Sequence, residues 1–128
     1  MYLRFVIDQK DEDSGKRLGL FHALAYLCDQ GELFPHEEQM LQHARDWFNR
    51  YLQKPTRFSR TLKPNAKKRA ISWFKDSAIE HIAMMRELVA ILQAHQVHVE
   101  MLQTDHPGYI VYEDEFQITA EAFTDTGA

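Results

Sequence analysis

The chain has 128 residues, 45% hydrophobic and 27% charged, and its 15 Lys and Arg against 19 Asp and Glu give a formal net charge of −4. This composition is typical of one folded domain and excludes both a disordered chain and a uniformly basic surface. No apolar run approaches the ~20 residues of a membrane-spanning helix, and we expect no signal peptide at the N-terminus. The single cysteine, Cys28, excludes an internal disulfide. We therefore expect a cytoplasmic protein.

The first half of the chain predicts one strand and two helices. Residues 2–8 are rich in β-branched and aromatic side chains, which is typical of a strand. We expect the face that carries Arg4 to be partly solvated. Residues 16–30 and 36–53 repeat apolar side chains at steps of three and four, which indicates helices. The connection over 54–65 is bracketed by two prolines and follows neither periodicity, as functional loops often do.

The longest periodic segment covers residues 66–95. Its apolar side chains step by three or four from Ile71 to Leu92 without a break. This spacing favours one long helix of roughly 45 Å at ~1.5 Å per residue. A capping-box pattern at Ser77 and Glu80 supports the alternative, in which the helix restarts near Asp76.

Strand patterns return after the third predicted helix. Alternating segments at 97–101, 109–112 and 116–122 are separated by turn residues and predict a meander of three short strands.

These elements predict an α+β fold. The N-terminal strand and the three-strand meander form a four-stranded, mainly antiparallel sheet covered by three helices, the third one long. We assign residues 1–123 to this single domain and residues 124–128 to a loose C-terminal tail.

Charge is distributed unevenly along the chain. Residues 1–46 sum to −4, residues 47–75 to +9 and residues 76–128 to −9. The middle range, which we name the basic segment, holds no acidic residue and nine basic ones: Arg50, Lys54, Arg57, Arg60, Lys63, Lys67, Lys68, Arg69 and Lys75. Because concentrated like charge destabilises a compact chain unless it is neutralised, we expect the basic segment to contact negative charge.

The leading interpretation is a phosphate-bearing ligand, either nucleic acid or a phosphorylated molecule. Single-stranded nucleic acid offers phosphates to cations and bases to aromatic side chains. Phe58 and Trp73 are the better stacking candidates, because the other aromatics of the segment fall on predicted core stripes (Trp47, Phe48, Tyr51 and Phe74). The predicted ligand contacts, in a basic loop and helix start, are Lys54, Arg57, Phe58, Arg60, Lys63, Lys67, Lys68, Arg69 and Lys75.

Two other sources of negative charge remain open. The acidic segment over 76–128 can neutralise the basic segment within the chain or across a homo-oligomer. An acidic protein partner can do the same. The alternative function is therefore a protein-interaction or regulatory module whose basic and acidic segments pair between chains. No membrane partner is expected.

Catalytic and metal motifs are missing from the sequence. The glycine spacing matches no phosphate-binding loop, Asp11–Gly15 departs from a calcium loop, and the seven histidines include no HExxH motif. We predict no cofactor and no metal and assign no catalytic residue. An enzyme acting on a phosphorylated substrate is the third interpretation, and it draws on Arg57, Arg60, Lys67, Asp76 and His81.

Three short motifs carry a resemblance over most of the chain. They are Pro55-Thr56-Arg57-Phe58-Ser59-Arg60, then Trp73-Phe74-Lys75-Asp76-Ser77-Ala78, then Pro107-Gly108-Tyr109 with Tyr112-Glu113-Asp114-Glu115. Together they resemble a family of small, uncharacterised bacterial proteins to which no activity is assigned. The resemblance implies a bacterial origin and transfers no site residues.

Overall fold

The computed structural model describes residues 1–12, 15–55 and 70–122. Within these ranges the α+β class is confirmed, with three helices and six strands. The strands are β1 (Tyr2–Lys10), β2 (Arg17–Gly19), β3 (Ile71–Lys75), β4 (Val99–Thr104), β5 (Tyr109–Glu113) and β6 (Gln117–Glu121). The helices are α1 (Leu20–Asp29), α2 (Pro35–Tyr51) and α3 (Ile79–Ala94). None of these helices is long and apolar enough to cross a membrane.

The six strands form one antiparallel sheet in which β1 is the hub. Along one edge β1 pairs with β4, from Tyr2 opposite Thr104 to Ile7 opposite Val99. Along the other edge of β1, residues Tyr2 and Leu3 pair with β3, and residues Val6 and Lys10 pair with β2. Strands β6 and β5 then continue the sheet beyond β3. The sheet is therefore split beside the middle of β1, where one neighbour has ended and the next has not begun.

The three helices pack on one face of this sheet. Phe5 and Ile7 of β1 join a buried cluster with side chains from every helix, including Leu24, Phe48 and Leu92. Because side chains alternate between the two faces of a strand, neighbouring residues of β3 point in opposite directions. Phe74 packs on the helix-side core. This core fixes the helices against the sheet by removing apolar surface from water.

The opposite face of the sheet carries a second buried cluster. It consists of Ile71, Trp73, Ile118 and Ala120, and Val6 of β1 is also buried. We expected this face to be partly solvated because it carries Arg4. The part of this face around Trp73 and Ile118 is apolar and buried, whereas Glu100, opposite Val6, is exposed. The Arg4 guanidinium is directed to backbone carbonyls of the neighbouring strands.

The single long helix over 66–95 is not confirmed. Residues Ile71–Lys75 form β3, and α3 begins only at Ile79, so the alternative restart near Asp76 is closer to the structure. The step of three from Ile71 to Phe74 fits a helix, whereas the step of two from Ile71 to Trp73 fits a strand. The β-branched and aromatic side chains of this stretch fit the pleated sheet, where Ile71 and Trp73 share one face.

The predicted four-stranded sheet and meander are wrong. The three residues of β2 were assigned to the first helix, because so short a strand leaves no alternating pattern. Strand β4 pairs with β1 rather than with β5, and only β5 and β6 form the predicted hairpin. The antiparallel pairing of β4 with β1 extends over six residues from Tyr2 to Ile7. The predicted tail over 124–128 lies outside the described residues.

Candidate functional site

Two of the nine predicted phosphate contacts, Lys54 and Lys75, lie in the described part of the chain. Lys54 is exposed beyond the end of α2 and lines a groove of about 330 Å³ with Arg45 and Asn49. Lys75 lies elsewhere, at the end of β3. The other seven are outside the described residues: Arg57, Phe58, Arg60, Lys63, Lys67, Lys68 and Arg69.

The structure pairs Lys75 with an acid of its own chain. Its ammonium lies 2.6 Å from the carboxylate of Glu113. Glu113 is on β5, which is separated from β3 in the sheet by β6. Glu113 belongs to the acidic segment over 76–128, whose pairing with the basic segment is one of the two alternatives to a phosphate ligand. Lys75 therefore offers less net charge to an outside phosphate than the other predicted contacts.

The exposed aromatic near the basic segment is Tyr51 rather than Trp73. Trp73 is 5% exposed and packs in the second buried cluster, so the expectation that its ring stacks on a base is wrong. Tyr51, assigned to a core stripe from its spacing, is 49% exposed at the end of α2. The Arg50 guanidinium lies 5.6 Å from the centroid of the Tyr51 ring. The sequence signal for this exposed ring is the adjacent pair Arg50-Tyr51 at the end of the predicted second helix.

The groove beside Tyr51 has mixed charge. It measures about 500 Å³ and is lined by Arg50 on one side and by Asp114 and Glu115 on the other. Burial would raise the pKa of Asp114, but hydrogen bonds from Gln117, the Phe116 N–H and the Tyr112 hydroxyl together lower it. This ionised carboxylate fixes the turn between β5 and β6.

A second cavity of about 270 Å³ lies at the split in the sheet. Its apolar walls come from α1, α2, β3 and α3, and its polar lining includes Arg4, Ser72 and Gln117. The apolar lining side chains include Leu20, Phe21, Phe48, Leu52, Phe74 and Met85. Aromatic side chains and the Arg4 cation thus line the same cavity.

Arg4 crosses the split in the sheet. Its Nη2 donates to the Arg17 carbonyl of β2 at 2.6 Å, and its Nη1 donates to the Ser72 carbonyl of β3 at 3.4 Å. Lys16 makes a similar link, because its Nζ donates to the Ala70 carbonyl at 3.4 Å. Arg4 thus links β2 to β3, which do not pair with each other, and Lys16 links the residues just before these two strands.

The positive charge of Arg4 has no carboxylate partner among the described residues. The ion pairs formed there leave Arg4 out, while neighbouring Arg17 pairs with Glu100 at 3.1 Å. Burial, followed by the nearby charge of Arg17, lowers the pKa of Arg4 to about 10. The molecule therefore holds a half-buried guanidinium in an unfavourable environment, a feature that sequence alone gave no means to detect.

Two buried N–H groups, one on β1 and one on β3, also lack acceptors among the described residues. In the described part of the chain, neither Arg4 Nε nor Trp73 Nε1 has a hydrogen-bond partner. Arg4 and Trp73 both line the cavity. Buried N–H groups are almost always paired in folded proteins, so these two N–H groups are exceptions within the described part of the chain.

The residues of the enzyme interpretation that can be placed have structural contacts. His81 is buried with its ring 4.3 Å from that of Phe116 and its Nε2 2.9 Å from the Tyr51 carbonyl. Asp76 is exposed and lies 3.5 Å from the N-terminal amine. These contacts hold α2 and β1 in place and form no described reaction centre.

A buried carboxylate joins the start of α2 to the end of α3. Glu37 Oε1 accepts hydrogen bonds from the Phe34 N–H at 2.9 Å and lies 2.8 Å from His95 Nε2. Burial would raise the pKa of Glu37, but these hydrogen bonds and the charges of His95 and His36 lower it. The described residues contain no group of three or more metal-ligating side chains.

Comparisons with protein-family models, curated proteins and solved structures find no match for this chain. The resemblance to small bacterial proteins therefore stays a prediction, and the function has to be argued from the residues themselves.

Proposed function

We propose that this chain is a small binding domain that holds single-stranded nucleic acid through the basic segment over 47–75. The observation that carries the proposal is the charge pattern: nine cations and no acid occur in one stretch of a chain whose net charge is −4. Phosphate contacts by Lys and Arg supply most of the affinity of such domains. The contacts we propose are Lys54, Arg57, Phe58, Arg60, Lys63, Lys67, Lys68 and Arg69, with Lys75 secondary because of its pairing with Glu113.

The exposed end of α2 supports a single-stranded ligand. Arg50 and Lys54 are exposed there, and the half-exposed ring of Tyr51 lies beside the Arg50 guanidinium. Flat aromatic faces next to cations suit bases that are free to unstack, as they are in a single strand. A base on Tyr51 would place its phosphate within reach of the neighbouring cations.

The runner-up is pairing of the basic segment with acidic segments, within the chain or between copies. The Lys75–Glu113 ion pair favours it, as do Asp114 and Glu115 on the wall of the mixed-charge groove. Pairing between copies predicts an oligomer that loosens with salt. Sedimentation at low and moderate salt separates the two, because a nucleic-acid-binding monomer keeps one sedimentation coefficient.

Charge reversal with a matched control tests the proposal. Short labelled RNA and DNA strands are titrated and their fluorescence anisotropy is followed for the double variants K67E/R69E and K10E/R86E. Both variants change the net charge by the same amount, but only the first lies in the basic segment. We expect roughly a tenfold or greater loss of affinity for K67E/R69E and little change for the control. Equal losses, or no binding of either strand at low salt, would refute the proposal.

An aromatic pair tests the stacking contact in the same assay. Tyr51 and Tyr26 are both exposed, at the ends of different helices. Tyr51→Ala is expected to weaken binding about fivefold or more, since stacking on one base contributes about 1–3 kcal/mol. Tyr26→Ala is expected to leave affinity unchanged. A larger loss of affinity for Tyr26→Ala than for Tyr51→Ala would contradict the proposal, because the nucleic acid would then bind near α1 and not at the end of α2.

A further inference from the structure

We propose that the groove beside Tyr51 binds a guanine base of the nucleic-acid strand and that Glu115 is the residue that selects this base. This base specificity rests on the nucleic-acid binding proposed above and concerns one end of the basic segment. The groove lies between the end of α2 and the turn that joins β5 to β6. A guanine fits three properties of the groove: its aromatic walls, the carboxylate of Glu115 and the opposite charges of its two sides.

Contacts between α2, α3 and the turn hold the two walls of the groove in place. The Gln117 side-chain amide donates to the Gln53 carbonyl, just after α2. His81 of α3 contacts both walls, since its Nε2 lies 2.9 Å from the Tyr51 carbonyl and its ring lies 4.3 Å from that of Phe116. Tyr51 and Phe116 both line the groove, so each wall carries an aromatic ring. An enclosed cavity of about 150 Å³ accommodates benzene, and the groove, at about 500 Å³, has room for a purine.

The turn between β5 and β6 offers a carboxylate acceptor to the groove. Both oxygens of Asp114 already accept hydrogen bonds from neighbouring residues. Glu115 is exposed and lines the groove, and its carboxylate has no partner in the described part of the chain. A carboxylate accepts hydrogen bonds and donates none. A base that contacts Glu115 therefore has to present N–H donors.

Guanine is the base whose donors match a carboxylate. Its Watson–Crick edge carries the N1–H and N2–H₂ donors side by side, so both carboxylate oxygens accept a hydrogen bond. Adenine and cytosine carry an amino group beside a ring-nitrogen acceptor, and uracil carries one N–H between two carbonyls, so in these bases the second carboxylate oxygen meets a lone pair. Bases of a single strand expose this edge to side chains. A bidentate contact discriminates against the wrong base by roughly tenfold.

The opposite wall carries a cation that suits another edge of guanine. Arg50 is exposed there, and its guanidinium lies 5.6 Å from the centroid of the Tyr51 ring. A guanidinium binds the O6 and N7 acceptors of guanine in bidentate fashion. One guanine thus presents acceptors to Arg50 and donors to Glu115, and a groove with opposite charges on its two sides favours a base of this polarity.

Short RNA strands that differ at one base test the site in the full chain. Each strand consists of uridines with guanosine, inosine, adenosine, cytidine or uridine at the central position, and binding is followed by fluorescence anisotropy. We expect the guanosine strand to bind about tenfold more tightly than the all-uridine strand. Inosine lacks the N2 amino group, so its strand should lose most of this gain. Equal affinity for all strands would overturn the guanine site alone, whereas no binding of any strand would overturn the proposed function as well.

A matched pair of carboxylate variants provides the second test. Glu115→Gln keeps the size of the side chain and removes one of its two acceptors. Glu87→Gln makes the same change at an exposed position of α3, outside the groove lining. We expect Glu115→Gln to reduce the preference for guanosine over uridine to about twofold, with affinity for the all-uridine strand maintained, and Glu87→Gln to retain the full preference. A Glu115→Gln protein that retains the full preference, or that loses affinity equally for every strand, would contradict the proposal.

Discussion

Replacing Gly108 by alanine is expected to weaken the fold far more than the same change at Gly31. Gly108 precedes β5 with φ +129°, and a Cβ there would lie 2.6 Å from the Glu121 carbonyl carbon and 2.8 Å from Ala122 Cα. These are backbone atoms of the neighbouring strand, so they cannot yield by rotating a side chain. The added methyl group must push β5 away from β6.

The magnitude follows from two costs. A non-glycine residue in so unusual a backbone region loses about 1–3 kcal/mol. Separating the pair of Tyr109 and Glu121 removes hydrogen bonds that each contribute about 1 kcal/mol. We expect Gly108→Ala to lower the free energy of unfolding by about 3–5 kcal/mol, a large part of the 5–15 kcal/mol typical of a domain.

Gly31 provides the control for this prediction. It also has a positive φ, +71°, but a Cβ there would meet no atom within 4 Å. Gly31→Ala is expected to cost only the conformational penalty of about 1–2 kcal/mol. Urea unfolding followed by tryptophan fluorescence measures both variants. Losses that agree within about 0.5 kcal/mol would refute the reasoning, because the close approach to β6 would then carry no energy.

Three further predictions concern stability and charge. The pKa of Glu37 is lowered from 4.5 in the folded state, so ionised Glu37 stabilises the fold above pH 4.5, and this stabilisation is lost as the pH falls through the lowered folded-state pKa. Urea unfolding midpoints should therefore fall less on acidification for Glu37→Gln than for the unmodified chain. Leu92→Ala, at a fully buried position of α3, should cost about 2–5 kcal/mol in urea unfolding, whereas Ile79→Ala, 74% exposed, should change little. Lys75→Ala should weaken nucleic-acid binding, measured by anisotropy, less than Lys68→Ala does, because Glu113 already pairs with Lys75.

Local sequence signals predict the helices well where one structure fits the pattern. The predicted helix over 36–53 matches α2 within two residues at each end. Pro35 marks its first turn, and its apolar steps suit only a helix. The stretch at Ile71 was misjudged because its side-chain spacing satisfies both a helix and a strand. The local pattern does not distinguish a helix from a strand at this position, and pairing with β1 and β6 makes it a strand.

Long-range pairing accounts for what the sequence could not predict. The position of β4 beside β1 depends on contacts between residues 2–7 and 99–104, which lie far apart in the sequence, and no local periodicity encodes them. The charge pattern of the basic segment is visible in sequence because it is local. The cavity at the split in the sheet is not, since Arg4 reaches the carbonyls of Ser72 and Arg17 only where β1 changes partner from β3 to β2.

Salt dependence of nucleic-acid binding tests the central claim most directly. The dissociation constant of a short single strand is measured from low to moderate salt for the unmodified chain and for K67E/R69E. Contact with three or more phosphates predicts that the logarithm of the affinity falls against the logarithm of salt with a slope of about −2 or steeper. The variant should lose about 1.4 of that slope, since each single-strand phosphate contact contributes about 0.7. A flat salt dependence, or equal slopes for the two proteins, would contradict the claim that the basic segment holds phosphates.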